Sequence, residues 1–129
     1  QVMNWLIKSG EKTPLDINKG SVAWGIYRDV EFEYYTNTSK TTATKNLGSS
    51  TRIASGAYEG AKANNIYNLA GNVWLWTLEA TGSGPGDYRF SRGGSYGSTG
   101  TLYCASNRSS YNPYYIADNI GCGGGLYIK

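Results

Sequence analysis

Histidine is absent from the 129 residues, and with it go the commonest general base and the commonest metal ligand. Nucleophile pairs of the Ser-His or Cys-His type cannot be built within this chain. Only two cysteines occur, Cys104 and Cys122, at a spacing that matches neither a zinc site nor a redox pair. They can form one bridge or stay free as two buried thiols. No run of 18 apolar residues is present, so no membrane span is expected, and no basic start followed by an apolar stretch reads as a signal peptide. Charge is also scarce, at 16% of residues against a usual quarter or so. Twelve Lys and Arg oppose nine Asp and Glu, and the resulting +3 is spread without basic blocks. A surface that tracks phosphates needs such blocks, so nucleic acid is not an expected partner. The carboxylates Asp16, Asp29, Asp87, Asp118, Glu11, Glu31, Glu33, Glu59 and Glu79 form no calcium-loop pattern. Glu31 and Glu33, two apart on an expected strand, read as a wet face. No catalytic group, metal set or cofactor is expected from these residues.

What the chain does have is 18 Gly and 12 Tyr, a composition of many turns and weakly charged, aromatic-bearing surfaces. Its length suits one domain over residues 1–129. The start on Gln1 inside an apparent helix, with the first Met at position 3, reads as the C-terminal part of a longer polypeptide. Val2, Trp5 and Leu6 fall at helical spacing before Ser9-Gly10, predicting a short amphipathic helix over 1–9. Val30, Phe32 and Tyr34 alternate with Glu31 and Glu33 as in a half-buried strand, a pattern that Tyr35 breaks. The Thr, Ser, Asn and Lys of 36–51 predict an exposed loop or an edge hairpin. From Asn64 to Glu79 the residues Ile66, Leu69, Val73, Trp74, Trp76 and Leu78 mark the expected core, entered by a tight turn at Gly71-Asn72. Turn material at Thr81–Asp87 leads into a strand beginning at Tyr88–Phe90.

After Arg92 the composition changes. Residues 93–128 contain no Lys, Glu, Gln, Met or Trp, although residues 1–92 hold 17 of these. The same window has eight Gly, six Tyr, five Ser and three Asn among its 36 residues. Tyr supplies large, rigid, amphipathic contact area, and Ser, Gly and Asn supply adaptable hydrogen bonds, the mixture that antibody binding loops use. The five missing residues are those whose codons end only in a purine. Randomising the two adenines of an Asn codon leaves this footprint. Gly-rich turns that exclude long polar side chains are the plainer explanation, but they do not account for the missing Trp.

The stretch Asn68-Leu69-Ala70-Gly71-Asn72-Val73-Trp74-Leu75-Trp76-Thr77, followed by Arg92-Gly93-Gly94-Ser95-Tyr96, resembles the formylglycine-generating-enzyme or sulfatase-modifying-factor family over about residues 64–128. The resemblance implies an α+β, C-type-lectin-like fold whose chain ends meet in a small sheet, with long loops carrying function. It also implies that Trp74 and Trp76 are core and that Gly93-Gly94 is a close packing point. Three departures limit it. Leu75 stands where the family has a Glu near a calcium ion, which weighs against a metal at Asn72. Gly121-Cys122-Gly123 stands where the family closes on Gly-Phe-Arg. Ser98 occupies the first of two redox-cysteine positions, leaving Cys104 alone, so formylglycine-generating activity is not expected.

The chain looks more like the variable proteins of diversity-generating retroelements, such as phage tropism determinants and bacterial surface proteins. In that group the segment after the Arg-Gly-Gly-Ser motif is rewritten at adenine positions and displayed on a lectin-like scaffold. The resemblance implies a non-catalytic domain on a phage tail or bacterial surface that binds a protein or glycan receptor on another cell, strengthened where copies assemble as homo-oligomers. The expected ligand-binding residues are Tyr96, Ser98, Thr99, Thr101, Tyr103, Asn107, Arg108, Ser109, Ser110, Tyr111, Asn112, Tyr114, Tyr115, Ile116, Asp118 and Asn119. Tyr103, Tyr111, Tyr114 and Tyr115 are the expected anchors, and Arg108 an energetic hot spot if it lies among their rings. The opposing readings are a fixed structural or adhesion module of a tail or envelope, a degenerate enzyme relative, and a calcium-dependent sugar lectin.

Overall fold

The computed structural model describes residues 2–123. Helix α1 (Val2–Lys8) ends where Gly10 turns to φ +77°, a left-handed position that glycine adopts without steric cost. Its inward side chain is Leu6, fully buried, with Met3 and Ile7 packed beside it. Val2 and Trp5, expected on the same buried face, are exposed instead. Helix α2 (Pro14–Asn18) follows, with Pro14 in its first turn, where the missing N–H costs nothing. The Thr13 hydroxyl accepts from the Asp16 amide at 3.1 Å and Asp16 accepts from the Thr13 amide at 2.8 Å, a complete capping box. Neither α1 nor α2 is long and apolar enough to cross a membrane.

Strand β1 (Phe32–Tyr35) pairs antiparallel with β2 (Thr42–Lys45) in a two-stranded hairpin, so that 36–51 holds its turn, its second strand and the loop that follows. Tyr35 continues the strand, opposite Thr42. Glu31 and Glu33 are exposed, the wet face that their alternation predicts. Lys45 is buried: its ammonium donates to the carbonyls of Val30 at 2.6 Å and of Arg28 and Asn46 at 3.3 Å. Three carbonyls thus satisfy a charge that would be costly to bury alone. A short ribbon of β3 (Lys62–Ala63) and β4 (Ile66–Tyr67) turns through Asn64 and Asn65, both at positive φ.

The main sheet has the order β7-β6-β5-β8, where β5 is Trp74–Ala80, β6 Arg89–Arg92, β7 Arg108–Tyr111 and β8 Ile120–Gly121. Only the β5–β8 pair is parallel. The expected meeting of the two chain ends in a small sheet involves residues 124–129, which lie outside the described residues; before them, β8 joins β5. Two cores flank this framework: Leu6, Ile17, Trp24, Tyr27, Ala63, Leu69, Ala70 and Ala105 in one, and Ile26, Phe32, Ile53, Ala57 and Ala61 in the other. Leu78, expected in the core, is fully exposed, and Trp76 is only half-buried. An apolar run on a strand alternates between two faces, and here only one side of β5 near its start reaches the core.

The two sequence motifs meet in the middle of the molecule. Gly71, at φ +72°, lies against Ile26 so closely that a Cβ there would sit 2.1 Å from the Ile26 carbonyl oxygen. The Gly71 amide donates to the Gly93 carbonyl at 2.7 Å, and the buried Tyr27 hydroxyl donates to the same oxygen at 2.9 Å. Gly94, at φ +74°, passes close to the Tyr103 backbone, where a Cβ would meet its carbonyl at 2.5 Å. Both glycine sites therefore require glycine for space and for backbone conformation. Burial holds the Tyr27 phenol well above its ordinary pKa of 10.0.

Candidate functional site

Alternation along β5, β6 and β7, read through their pairing, sorts the main sheet into two faces. Trp76, Ser91 and Ser109 lie in register on one face, with Arg89 and Tyr111 beside them. Leu75, Arg92 and Arg108 lie in register on the other, with Phe90 and Ser110.

The first face carries a set of rings. Trp74 meets Tyr103 edge to face at 5.9 Å, Trp76 meets Tyr111 likewise at 6.2 Å, and Tyr111 stacks on Tyr115 at 4.9 Å. Beside them is a depression of about 510 Å³, lined by Arg28, Trp74, Gly97, Ser98, Thr99, Leu102, Tyr103, Ser109 and Tyr111. Five of the sixteen expected binding residues thus converge on one concavity, and Tyr115 joins them through Tyr111. Trp76 and Arg28 belong to the same neighbourhood but lie outside the segment singled out by composition. Trp76 is hidden in an apolar run, and Arg28 carries no motif.

The remaining expected residues divide by what holds them. The Tyr96 hydroxyl donates to the Asp118 carboxylate at 3.0 Å, and Arg52 donates to the Asp118 carbonyl at 3.1 Å. Burial and the Asp118 partner both push the Tyr96 phenol up. The Asn119 carbonyl accepts from the Trp74 amide at 2.8 Å, and the Asn112 side chain accepts from the Tyr114 amide at 3.0 Å. Asn107 donates to the Leu102 carbonyl at 3.1 Å. Of these contacts the Tyr96–Asp118 bond joins the two loops on either side of β7, and the others hold one loop or the other. Thr101, Tyr114 and Ile116 project outward, the last two 81% and 94% exposed.

Arg108 is not among the tyrosine rings. Its guanidinium lies 4.6 Å from the centre of Phe90 and pairs with Glu79 at 3.0 Å, on the opposite face of the sheet. Arg92 pairs with the same carboxylate at 2.8 Å and holds it below the usual Glu range. Ser110 shares that face.

The residues do not fit a metal or a redox pair. The Asn72 side chain, the amide of the family's calcium segment, is consumed by the Ile53 backbone, accepting its amide at 3.2 Å and donating to its carbonyl at 3.0 Å. Leu75 brings no carboxylate, and the described residues contain no group of three metal-ligating side chains. Both cysteines are free: Cys104 is buried beside Ser106, whereas Cys122 is exposed, against the expectation of two buried thiols. The Ser98 hydroxyl, standing where a first thiol would, bonds to Ser95 at 3.1 Å.

No curated protein and no solved structure matches the chain. The pattern of the sulfatase-modifying factor enzyme 1-like domain does match, over residues 16–122, which include both motifs and all sixteen expected binding residues. That family lies within the C-type lectin-like superfamily, with which the short helices and small sheets agree, and it holds enzymes and non-enzymes alike. The chain belongs to the sulfatase-modifying factor enzyme 1-like domain family.

Proposed function

We propose that this chain is a non-catalytic binding domain of the diversity-generating retroelement type, whose segment after Arg92 displays a changeable surface to a protein or glycan receptor on another cell. The observation that supports it most is the distribution of burial across the composition break. In the motifs, Leu69, Ala70, Gly71, Asn72, Trp74, Gly93, Gly94 and Ser95 are all buried. Of residues 96–123 only Gly100, Cys104 and Ala105 are, and all sixteen candidate residues keep some contact with solvent. A surface open to rewriting needs this division, because substitutions away from packed or hydrogen-bonded positions cost only about 0.5 kcal/mol or less.

The residues proposed to carry binding are Ser98, Thr99, Tyr103, Ser109, Tyr111 and Tyr115 around the depression, with Thr101, Tyr114 and Ile116 outside it. Tyr96 and Asp118 would fix the loop that presents Tyr114 to Ile116, and Trp76 would support Tyr111. A display library randomised together at Thr99, Thr101, Tyr103, Asn112, Tyr114, Tyr115 and Ile116 tests the reading. Most members should retain a cooperative melting transition, and selection on intact bacterial cells should enrich different side chains for different cells. A library that mostly fails to fold, or that folds and never yields a binder, contradicts it.

A further inference from the structure

The depression on the ring-bearing face contains one charged side chain, and it comes from outside the changeable segment. Arg28 is exposed, and among the described residues its guanidinium makes no ion pair and no hydrogen bond. Its backbone is fixed on both sides: the Arg28 amide donates to the Ser98 carbonyl at 2.9 Å, and its own carbonyl accepts from the Gly48 amide at 2.8 Å and from Lys45 at 3.3 Å. Thr99, Tyr103, Ser109 and Tyr111 line the same depression, and none of their hydroxyls has a hydrogen-bond partner among the described residues. The depression therefore holds one fork of donors and several unspent hydroxyls between aromatic rings, at a size ordinary for a small-molecule site.

Building on the binding reading above, we propose that this depression takes a sugar residue bearing a carboxylate, and that Arg28 is the fixed anchor for that carboxylate. A guanidinium presents a planar pair of donors that matches a carboxylate, and it does so without a competing acid in the depression. The sugar hydroxyls meet Thr99, Ser109 and the two phenols, and its C–H face lies against Tyr103 or Tyr111. An acidic peptide side chain would satisfy Arg28 but leave those hydroxyls unmatched, so the sugar fits more of the site. On this proposal the segment after Arg92 tunes which sugar is held and what flanks it, while the carboxylate contact persists among variants.

The test uses the full chain on three immobilised polymers at physiological ionic strength: polygalacturonate, neutral dextran and polyglutamate. Binding is expected to polygalacturonate only. Arg28→Gln should weaken it by about tenfold or more, as loss of a charged hydrogen-bond pair does, and Arg28→Lys should restore part of it. Lys8→Gln, at the end of α1, controls for general attraction of a basic chain to a polyanion and should change nothing. Equal binding to polyglutamate, equal loss in Lys8→Gln, no effect of Arg28→Gln, or no binding to polygalacturonate each overturns the proposal. Building the display library both on the parent chain and on the Arg28→Gln variant separates this from the broader reading. Binders recovered equally from both would remove the role of Arg28 and leave the changeable surface standing.

Discussion

The hydroxyl of Tyr27 donates to the carbonyl of Gly93 across 66 residues of sequence, at 2.9 Å and with no exposure to solvent. That oxygen also accepts from Gly71, so one buried tyrosine fastens the two motifs to each other. The junction fixes where the segment after Arg92 leaves the core.

Tyr27→Phe should lower stability by about 1 kcal/mol, toward the small end for a buried hydrogen bond because Gly93 keeps its second donor. Its pH dependence is more diagnostic. The folded phenol ionises well above the ordinary 10.0, so above pH 10 the unfolded chain sheds a proton that the folded chain keeps. Stability from this group is complete below pH 10 and declines as pH rises beyond it. Urea unfolding at pH 8 and pH 11 should therefore show a smaller alkaline loss in Tyr27→Phe than in the parent. Equal losses would show that Tyr27 ionises as freely in the fold as out of it.

Gly71→Ala should abolish folding or cost about 4 kcal/mol or more, since both the left-handed backbone and the Ile26 contact oppose a side chain. Gly97→Ala, in the wall of the depression, has only the Ser50 hydroxyl near its would-be Cβ, at 3.9 Å. Its melting temperature should stay within a degree or two of the parent's on the usual scale of surface changes. Similar losses in both variants would contradict the division between fixed junction and open surface.

Tyr114→Ala should leave stability unchanged, as its ring is free of the others, whereas Tyr115→Ala should cost about 0.5–1 kcal/mol through its stack on Tyr111. Both should weaken receptor binding by about 1 kcal/mol or more. Thermal melts beside surface binding to cells carrying the receptor check the two effects separately. A large drop in melting temperature for Tyr114→Ala would make that ring structural.

Glu79 accepts from Arg92 and Arg108, and the Arg92 bond chiefly depresses its pKa from 4.5. The stability it contributes is present above pH 4.5 and is lost as pH falls through its lower folded value. Glu79→Gln should flatten the acid side of the stability profile without altering binding, because this ladder lies behind the ring-bearing face. A binding loss without a stability change would bring Arg108 back into contact with ligand.

How much of this the sequence discloses depends on the range of the interaction. Helix α1, strand β1 and the turn at Gly71-Asn72 follow from local periodicity and glycine placement. Helix α2 is equally legible in Thr13-Pro14-Leu15-Asp16, a capping box that its short apolar pattern obscures. The exposure of Trp5 and Leu78 and the half-burial of Trp76 are not, since an apolar side chain does not announce which neighbour will cover it. Lys45 sits in a polar stretch and is nevertheless buried, because three carbonyls converge on it, two of them distant in the chain. For Tyr27 and Arg28 no local signal exists: the partners of the Tyr27 hydroxyl and of the Arg28 amide lie in or just after the second motif. The composition break itself is visible, but the sorting of its residues between two faces requires the register of β5, β6 and β7.

The DNA of codons 93 to 128 and its genomic flank tests whether a fixed junction carries a rewritable surface. A rewritable segment requires a second, near-identical copy beside a reverse-transcriptase gene, with differences confined to adenines of that copy and concentrated at the exposed positions from Ser98 to Ile116. A single copy with no such repeat, or differences falling equally on Gly93, Gly94 and Ala105, would contradict it.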